Sequence, residues 1–210
     1  MKRRQLLRNM AVCGAALPLV SRTVMAGKAP TATPVQNVPE SFFGHWSEQQ
    51  GLPVFVYDAD QDSLPEALWQ PVDRSPSRRH FHVLGNRALQ MQVSNTGDIA
   101  LFDESEGMRW LIYGDDAFGT GHSVITETDG KRWGSNYQVR PSGTVPQRIF
   151  GCTHFTILAQ QRGLQLERTV LCPEGDVPWV LVRVRLSLAA DQGPRQLTHT
   201  ERWALRPRFL

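Results

Sequence analysis

The chain has 210 residues, with 23 Lys and Arg against 20 Asp and Glu. Five of those bases, Lys2, Arg3, Arg4, Arg8 and Arg22, fall in the first 26 residues, which hold no acid, so the remainder carries 18 bases against 20 acids. The basic excess therefore belongs to the N-terminal segment, and no clustered basic stripe follows it, so no nucleic acid partner is expected. No apolar run after residue 26 reaches the length of a membrane span, so no stable membrane anchor is expected either.

The first element in the chain is a targeting peptide. Lys2-Arg3-Arg4-Gln5-Leu6-Leu7-Arg8 sets paired arginines before two leucines, Met10 to Val20 is mildly apolar, and Val24-Met25-Ala26 places small residues where a signal peptidase would cut. The layout resembles a twin-arginine signal with Arg3 and Arg4 as its pair and Ala26 at its end. That implies carriage by the twin-arginine translocase and a periplasmic or secreted destination. The apolar core is too short, and too rich in Ala, Gly and Pro, to remain as a spanning helix. Cys13 lacks a lipobox context, so no lipid anchor is expected. Cleavage would leave about 184 of the 210 residues, enough for one domain with a sizeable core.

Residues 27–40, rich in Pro, Ala and Thr, read as a flexible linker. Ser41 to Trp46 is aromatic and could dock on the fold as a short arm. Pro53 to Tyr57 reads as the first strand, and Pro65, Pro71 and Pro76 then punctuate a loop-rich stretch. From His80 the pattern is strand, turn, strand. Leu89, Met91 and Val93 share one face of a strand and Gln90 and Gln92 the other. Ser94-Asn95-Thr96-Gly97-Asp98 is a turn cluster in which Asn and Gly reach positive φ at little cost. Ile99 to Phe102 is its partner strand and Met108 to Tyr113 a third.

Val124 to Thr128 and Lys131 to Trp133 form a tight hairpin about Asp129-Gly130. Phe150 to Gln160 and Leu164 to Cys172 form a long hairpin about Gln161-Arg162-Gly163. Val177 to Leu188 is the clearest strand, with Val180, Val182, Val184, Leu186 and Leu188 on one face and Arg183, Arg185 and Ser187 on the other, Leu181 being the exception. That alternation fits a sheet packed on one side and wet on the other. Trp179, after Pro178, reads as packing at the head of this strand. Gln196 to Leu205 is the last strand. Many short strands, Gly-rich turns and no amphipathic helix predict an all-β fold, an antiparallel β-sandwich over 41–210.

Three segments in order carry a family resemblance. Gly85-Asn86 leads into Ser94-Asn95-Thr96-Gly97; Asp129-Gly130-Lys131-Arg132-Trp133 follows. Last come His154-Phe155-Thr156, Gly163, Val170-Leu171-Cys172-Pro173 and Asp176-Val177-Pro178-Trp179. This order resembles the N-terminal sandwich domain of the cellobiose and chitobiose phosphorylase family and related glycoside hydrolase-like proteins, over roughly Arg79 to Trp203. The resemblance implies a supersandwich of the galactose-mutarotase-like kind, followed by a helical (α/α)6 barrel that holds the catalytic acid and most sugar subsites. The chain stops where the link to that barrel would begin. The barrel is therefore a missing partner, a fragment or truncated product is expected, and no catalytic residue is carried over. An export signal sits poorly with phosphorolysis, whose sugar phosphate product is most useful in the cytoplasm, so hydrolysis or binding of an oligosaccharide or polysaccharide is favoured.

The residues permit several constellations. Glycoside hydrolysis needs two carboxyl groups across a bond, and Asp103, Glu104, Glu106, Asp115, Asp116 and Glu127 are candidates that read as solvated loop acids. His80 and His82 share a strand face, but no spacing fixes a third ligand among His45, His122 and His154, so no metal is expected. Ser, His and Asp occur without a G-x-S-x-G elbow. Residues 114–121 lack the ending of a phosphate loop, and no cofactor is expected. A pyranose stacks its C–H face on an aromatic ring, which makes Trp110, Trp133, Tyr137 and Trp203, each beside a polar neighbour, the candidate carbohydrate-binding residues.

Cys152 and Cys172 face each other if the long hairpin pivots on Arg162, which permits a disulfide. A register shifted by one, with Ile157 against Leu166 and Ala159 against Leu164, pairs apolar residues better and puts the thiols on opposite faces. Three functions stay open: the sandwich domain of a glycoside phosphorylase- or hydrolase-like enzyme, a stand-alone periplasmic carbohydrate-binding module, and a small aldose epimerase-like enzyme. The last would draw on His80, His122 or His154 with Glu127 or Glu201.

Overall fold

A computed structural model describes residues 33–34, 44–58, 80–103, 109–113, 119–142, 144 and 146–205. The predicted signal over 1–26, with Arg3, Arg4 and Ala26, lies outside the described residues. So do the proline-punctuated stretch and the acids Glu104, Glu106, Asp115 and Asp116. Among the described residues the fold is all-β, with a single 3-10 turn at Tyr137–Val139. The strands are β1 (Thr33–Pro34), β2 (Gly44–Gln49), β3 (Leu52–Tyr57), β4 (Phe81–Gly85), β5 (Gln90–Ser94), β6 (Ile99–Asp103), β7 (Arg109–Ile112), β8 (His122–Glu127), β9 (Arg132–Gly134), β10 (Gln147–Gly151), β11 (His154–Gln161), β12 (Leu164–Leu171), β13 (Leu181–Leu188) and β14 (Leu197–Arg202).

All the strand pairs are antiparallel. The larger sheet runs β1-β2-β3-β10-β11-β12-β13. Opposite it lie a four-stranded sheet, β4-β5-β6-β7, and a three-stranded one, β14-β8-β9. A bridge between Ile112 and Leu205 and a hydrogen bond from the Tyr113 N–H to the Ala204 carbonyl, 3.1 Å, tie these two together at one end. The layers close on a core to which both contribute. Leu84, Met91, Val93, Ile99, Leu101 and Ile112 meet Phe155, Ile157 and Val170. Further along, Ile125 and Trp133 meet Ala159, Leu164 and Leu166. On β5, β11 and β12 the buried apolar side chains fall at alternate positions, which is what aligned sheet-on-sheet packing requires. The predicted antiparallel sandwich is the observed one.

Several elements differ from the reading of the sequence. Within 27–40, Thr33–Pro34 pairs with Glu48 and Ser47 of β2; of the aromatic arm, Gly44 to Trp46 belong to β2 and the rest lies outside the described residues. At the 94–98 turn only Gly97 takes positive φ, +87°. A Cβ there would lie 2.5 Å from the Ser135 carbonyl oxygen, so both backbone shape and close approach call for glycine. The strand predicted from Phe150 breaks at Cys152 into β10 and β11, and the clearest strand begins at Leu181 rather than Val177. Trp179 does not pack: it stands 46% exposed ahead of β13.

The β11–β12 hairpin follows neither of the two registers considered. Arg162 and Gly163 take φ +49° and +75°, a two-residue turn with both centres left-handed, matching the twist of the strands it joins. Gln161 therefore opposes Leu164, Ala159 opposes Leu166 and Ile157 opposes Arg168. Cys152 and Cys172 are both free thiols, one exposed and one buried. The Cys152 Sγ lies 3.7 Å from the Pro53 carbonyl oxygen and the Cys172 Sγ 3.8 Å from that of Leu89. The possible disulfide is thus not formed, because the offset directs the two sulfurs to different neighbours.

Candidate functional site

The motifs behind the family resemblance turn out to fasten the fold. The Asn86 side-chain oxygen accepts from the N–H groups of Ala88 and Leu89, 2.8 and 2.9 Å, closing the β4–β5 turn. Its amide donates to the carbonyls of Pro173 and Val177, 2.8 and 3.0 Å, so one side chain clasps the loop that leads into β13. Asp98 accepts from Asn136 at 2.6 Å, the Thr120 N–H at 3.0 Å and the Thr96 hydroxyl at 2.8 Å. These bonds satisfy polar groups that would be costly to bury alone.

A polar cluster among the described residues spans the layers. Arg168, on the core side of β12, is wholly buried, and its guanidinium reaches both carboxylate oxygens of Glu201 on β14, with Nη2 2.8 Å from Oε2. Ser123 donates to Glu201. His199 Nε2 lies 3.1 Å from the Ser123 hydroxyl and 3.2 Å from Glu201 Oε1. Burial pushes the Glu201 carboxyl up, but hydrogen bonds from His199, Arg168 and Ser123 and the Arg168 charge outweigh it and bring the pKa down to about 2. His122 beside them is lowered to about 4, by burial and then by the charges of Arg202 and Arg168.

This trio does not form a nucleophilic relay. A relay needs the acid on one ring nitrogen of the histidine and the serine on the other, whereas here a single nitrogen faces both. Ser123 is also fully buried. A carboxylate held near pKa 2 by His199 and a buried arginine is a poor proton donor or acceptor at neutral pH, which argues against an epimerase built on Glu201 and His122. Glu127 accepts from Trp133 Nε1 at 3.1 Å and pairs with Arg162 at 3.5 Å; it ties two hairpin tips rather than standing in solvent. Among the described residues no three His, Cys, Asp or Glu side chains gather to hold a metal ion. His45 and His82 are exposed, and His154 Nε2 pairs with the Gln49 side chain, 3.2 Å.

Of the four aromatic candidates, the structure leaves one open. Trp133 is fully buried in the core. Trp203 packs on the core and has the Arg168 guanidinium 5.5 Å from its ring. Tyr137 is covered by Arg140, 4.3 Å from its ring centre. Trp110 is 37% exposed and stands 4.8 Å from the ring of Tyr113, itself 43% exposed, with buried Phe102 behind it at 5.1 Å. Among the described residues no ring contact joins any two of the original four.

The register carries this ledge across the sheet. Gln90 opposes Phe102 and Phe102 opposes Trp110; Val83 opposes Gln92 and Gln92 opposes Ala100. Residues directly opposite share a face, so the outer surface of β4–β7 bears exposed Phe81 and Val83 at one edge, two glutamines in the middle, and Trp110 with Tyr113 at the other. Three strand spacings, about 14 Å, separate the edges. The sequence placed Gln90 and Gln92 on the wet face, but it held no signal that Phe81 and Tyr113 would join Trp110 there. No family model and no curated protein matches the chain.

Proposed function

We propose that the protein is an exported carbohydrate-active protein. Its sandwich serves as a saccharide-contacting domain of the glycoside phosphorylase- or hydrolase-like kind, and the reactive acid is supplied from outside it. The observation that carries this reading is the ledge of Trp110 and Tyr113 facing Gln90 and Gln92 across one sheet. Partly exposed aromatic rings can stack on the C–H surface of a sugar while amides meet its hydroxyls.

Calorimetry of the folded chain against cello- and chito-oligosaccharides tests this. Saturable heat that falls in Trp110→Ala and Tyr113→Ala is the expected result, and no heat with any of them would refute it. The same ledge favours a stand-alone binding module in the periplasm as a second reading. Activity on glycosidic bonds only when a helical barrel is supplied would separate the first from the second. The export part is tested by the N-terminal mass of the protein recovered from the periplasm, expected to begin just after Ala26.

A further inference from the structure

The core is closed unequally along the large sheet. On β11 and β12 the inward side chains Phe155, Ile157, Leu166 and Val170 are fully buried. One strand further out, on β13, the equivalent row Val182, Val184, Leu186 and Leu188 is only half-buried. Among the described residues β13 pairs with β12 alone, and β14, whose Leu197 packs against the same buried cluster as Val184, Leu186 and Leu188, pairs with β8 alone. Two open strand edges therefore flank one incompletely covered apolar row. An eight-residue edge with free N–H and C=O groups is a template for a further strand.

The outer face of β13 says what kind of strand. Arg183 and Arg185 are 63% and 50% exposed and share one carboxylate, Glu167, at 3.3 and 3.4 Å. Two guanidiniums on one acid leave positive charge along the edge. A second copy fits poorly, because an antiparallel pairing centred on β13 that keeps the apolar row inward sets Arg183 against Arg185 of the other copy, and like charges directly opposite are unfavourable. We infer that the free edge of β13 accepts an extended segment of another polypeptide, apolar at alternate positions and acidic between them. The apolar side chains of that segment cover Val182, Val184 and Leu186, its carboxylates meet Arg183 and Arg185, and its backbone continues the ladder. This inference stands apart from the saccharide reading.

A labelled eight-residue peptide alternating Val and Glu, titrated into the full chain and followed by fluorescence anisotropy, tests the inference. It is expected to bind saturably and at least tenfold more tightly than its Val/Lys counterpart. The charge-reversed R183E/R185E variant, checked for native circular dichroism, is expected to invert that preference. Methylating the peptide nitrogens that would face β13 is expected to abolish binding. Equal affinity for the two peptides, binding indifferent to methylation, or no binding by folded protein would overturn the inference. So would a dimer in sedimentation that Val184→Pro dissolves.

Discussion

Arg168 and Glu201 join the two layers of the sandwich through its interior, a guanidinium from β12 meeting a carboxylate from β14 at 2.8 Å with the arginine wholly out of solvent. The pair sits where β12 would otherwise continue the apolar row of Leu164, Leu166 and Val170. It explains why Ile157 opposes a charge in the β11–β12 hairpin.

Breaking this pair on one side is expected to destabilise the fold by about 3–5 kcal/mol, because the survivor is left buried and uncompensated. Glu201→Leu therefore costs more than R168M/E201L, in which both charges are replaced by apolar groups. Urea denaturation of the two single variants and the double variant measures the coupling.

Acid is expected to weaken the protein in two stages. His122 titrates near 4 when folded against an ordinary 6.5. The unfolded chain therefore binds the proton first, and stability falls as pH drops from about 6.5 to 4. Glu201 titrates near 2 against 4.5, so its contribution is complete above about 4.5 and is lost as pH falls toward 2. Denaturation midpoints measured across this range check both, and His122→Gln is expected to flatten the upper stage only.

The two tryptophans that the sequence ranked together are expected to separate by experiment. Trp133→Ala empties a fully buried site and costs ~3–5 kcal/mol. Trp110→Ala leaves the core intact, and its loss of ring stacking, about 0.5–1.5 kcal/mol, is expected as a several-fold weaker saccharide affinity. Thermal melts and calorimetry on the same pair of variants tell the two apart.

The free thiols are expected to differ sharply. Cys152 is exposed and should react with a maleimide in the native state. Cys172 is buried, and burial pushes its pKa up, so it should react only after unfolding. Intact-mass measurement before and after denaturation reports the order, and equal rates in native protein would contradict the structure.

The fold was legible in the sequence wherever alternation was strict. Leu89, Met91 and Val93 face the core as their spacing requires, and Val182 to Leu188 keep the predicted face. Turn chemistry located the hairpins but not their register: the offset at Arg162-Gly163 depends on two residues of positive φ, which spacing alone does not reveal. The candidate site was less legible. Whether a tryptophan beside a polar neighbour is open or sealed depends on the opposite layer, which buried Trp133 and set Arg168 near Trp203, while Tyr137 is covered locally by Arg140. Arg168 was visible as a charge at an inward position of β12, yet its partner lies 33 positions away and no local pattern names it.

The Asn86 clasp bears on how the chain reaches this state. Its amide closes on a carbonyl 87 positions downstream, so the fastening cannot form until β12 has been laid down. Joints of that span put the molecule among topologies whose assembly is slow, on the order of milliseconds to seconds. During that interval the half-built sheets offer their edges to one another and to neighbouring chains, and Asn86→Ala, which removes a late-formed joint, should mainly speed unfolding, read from the unfolding limb of a chevron plot.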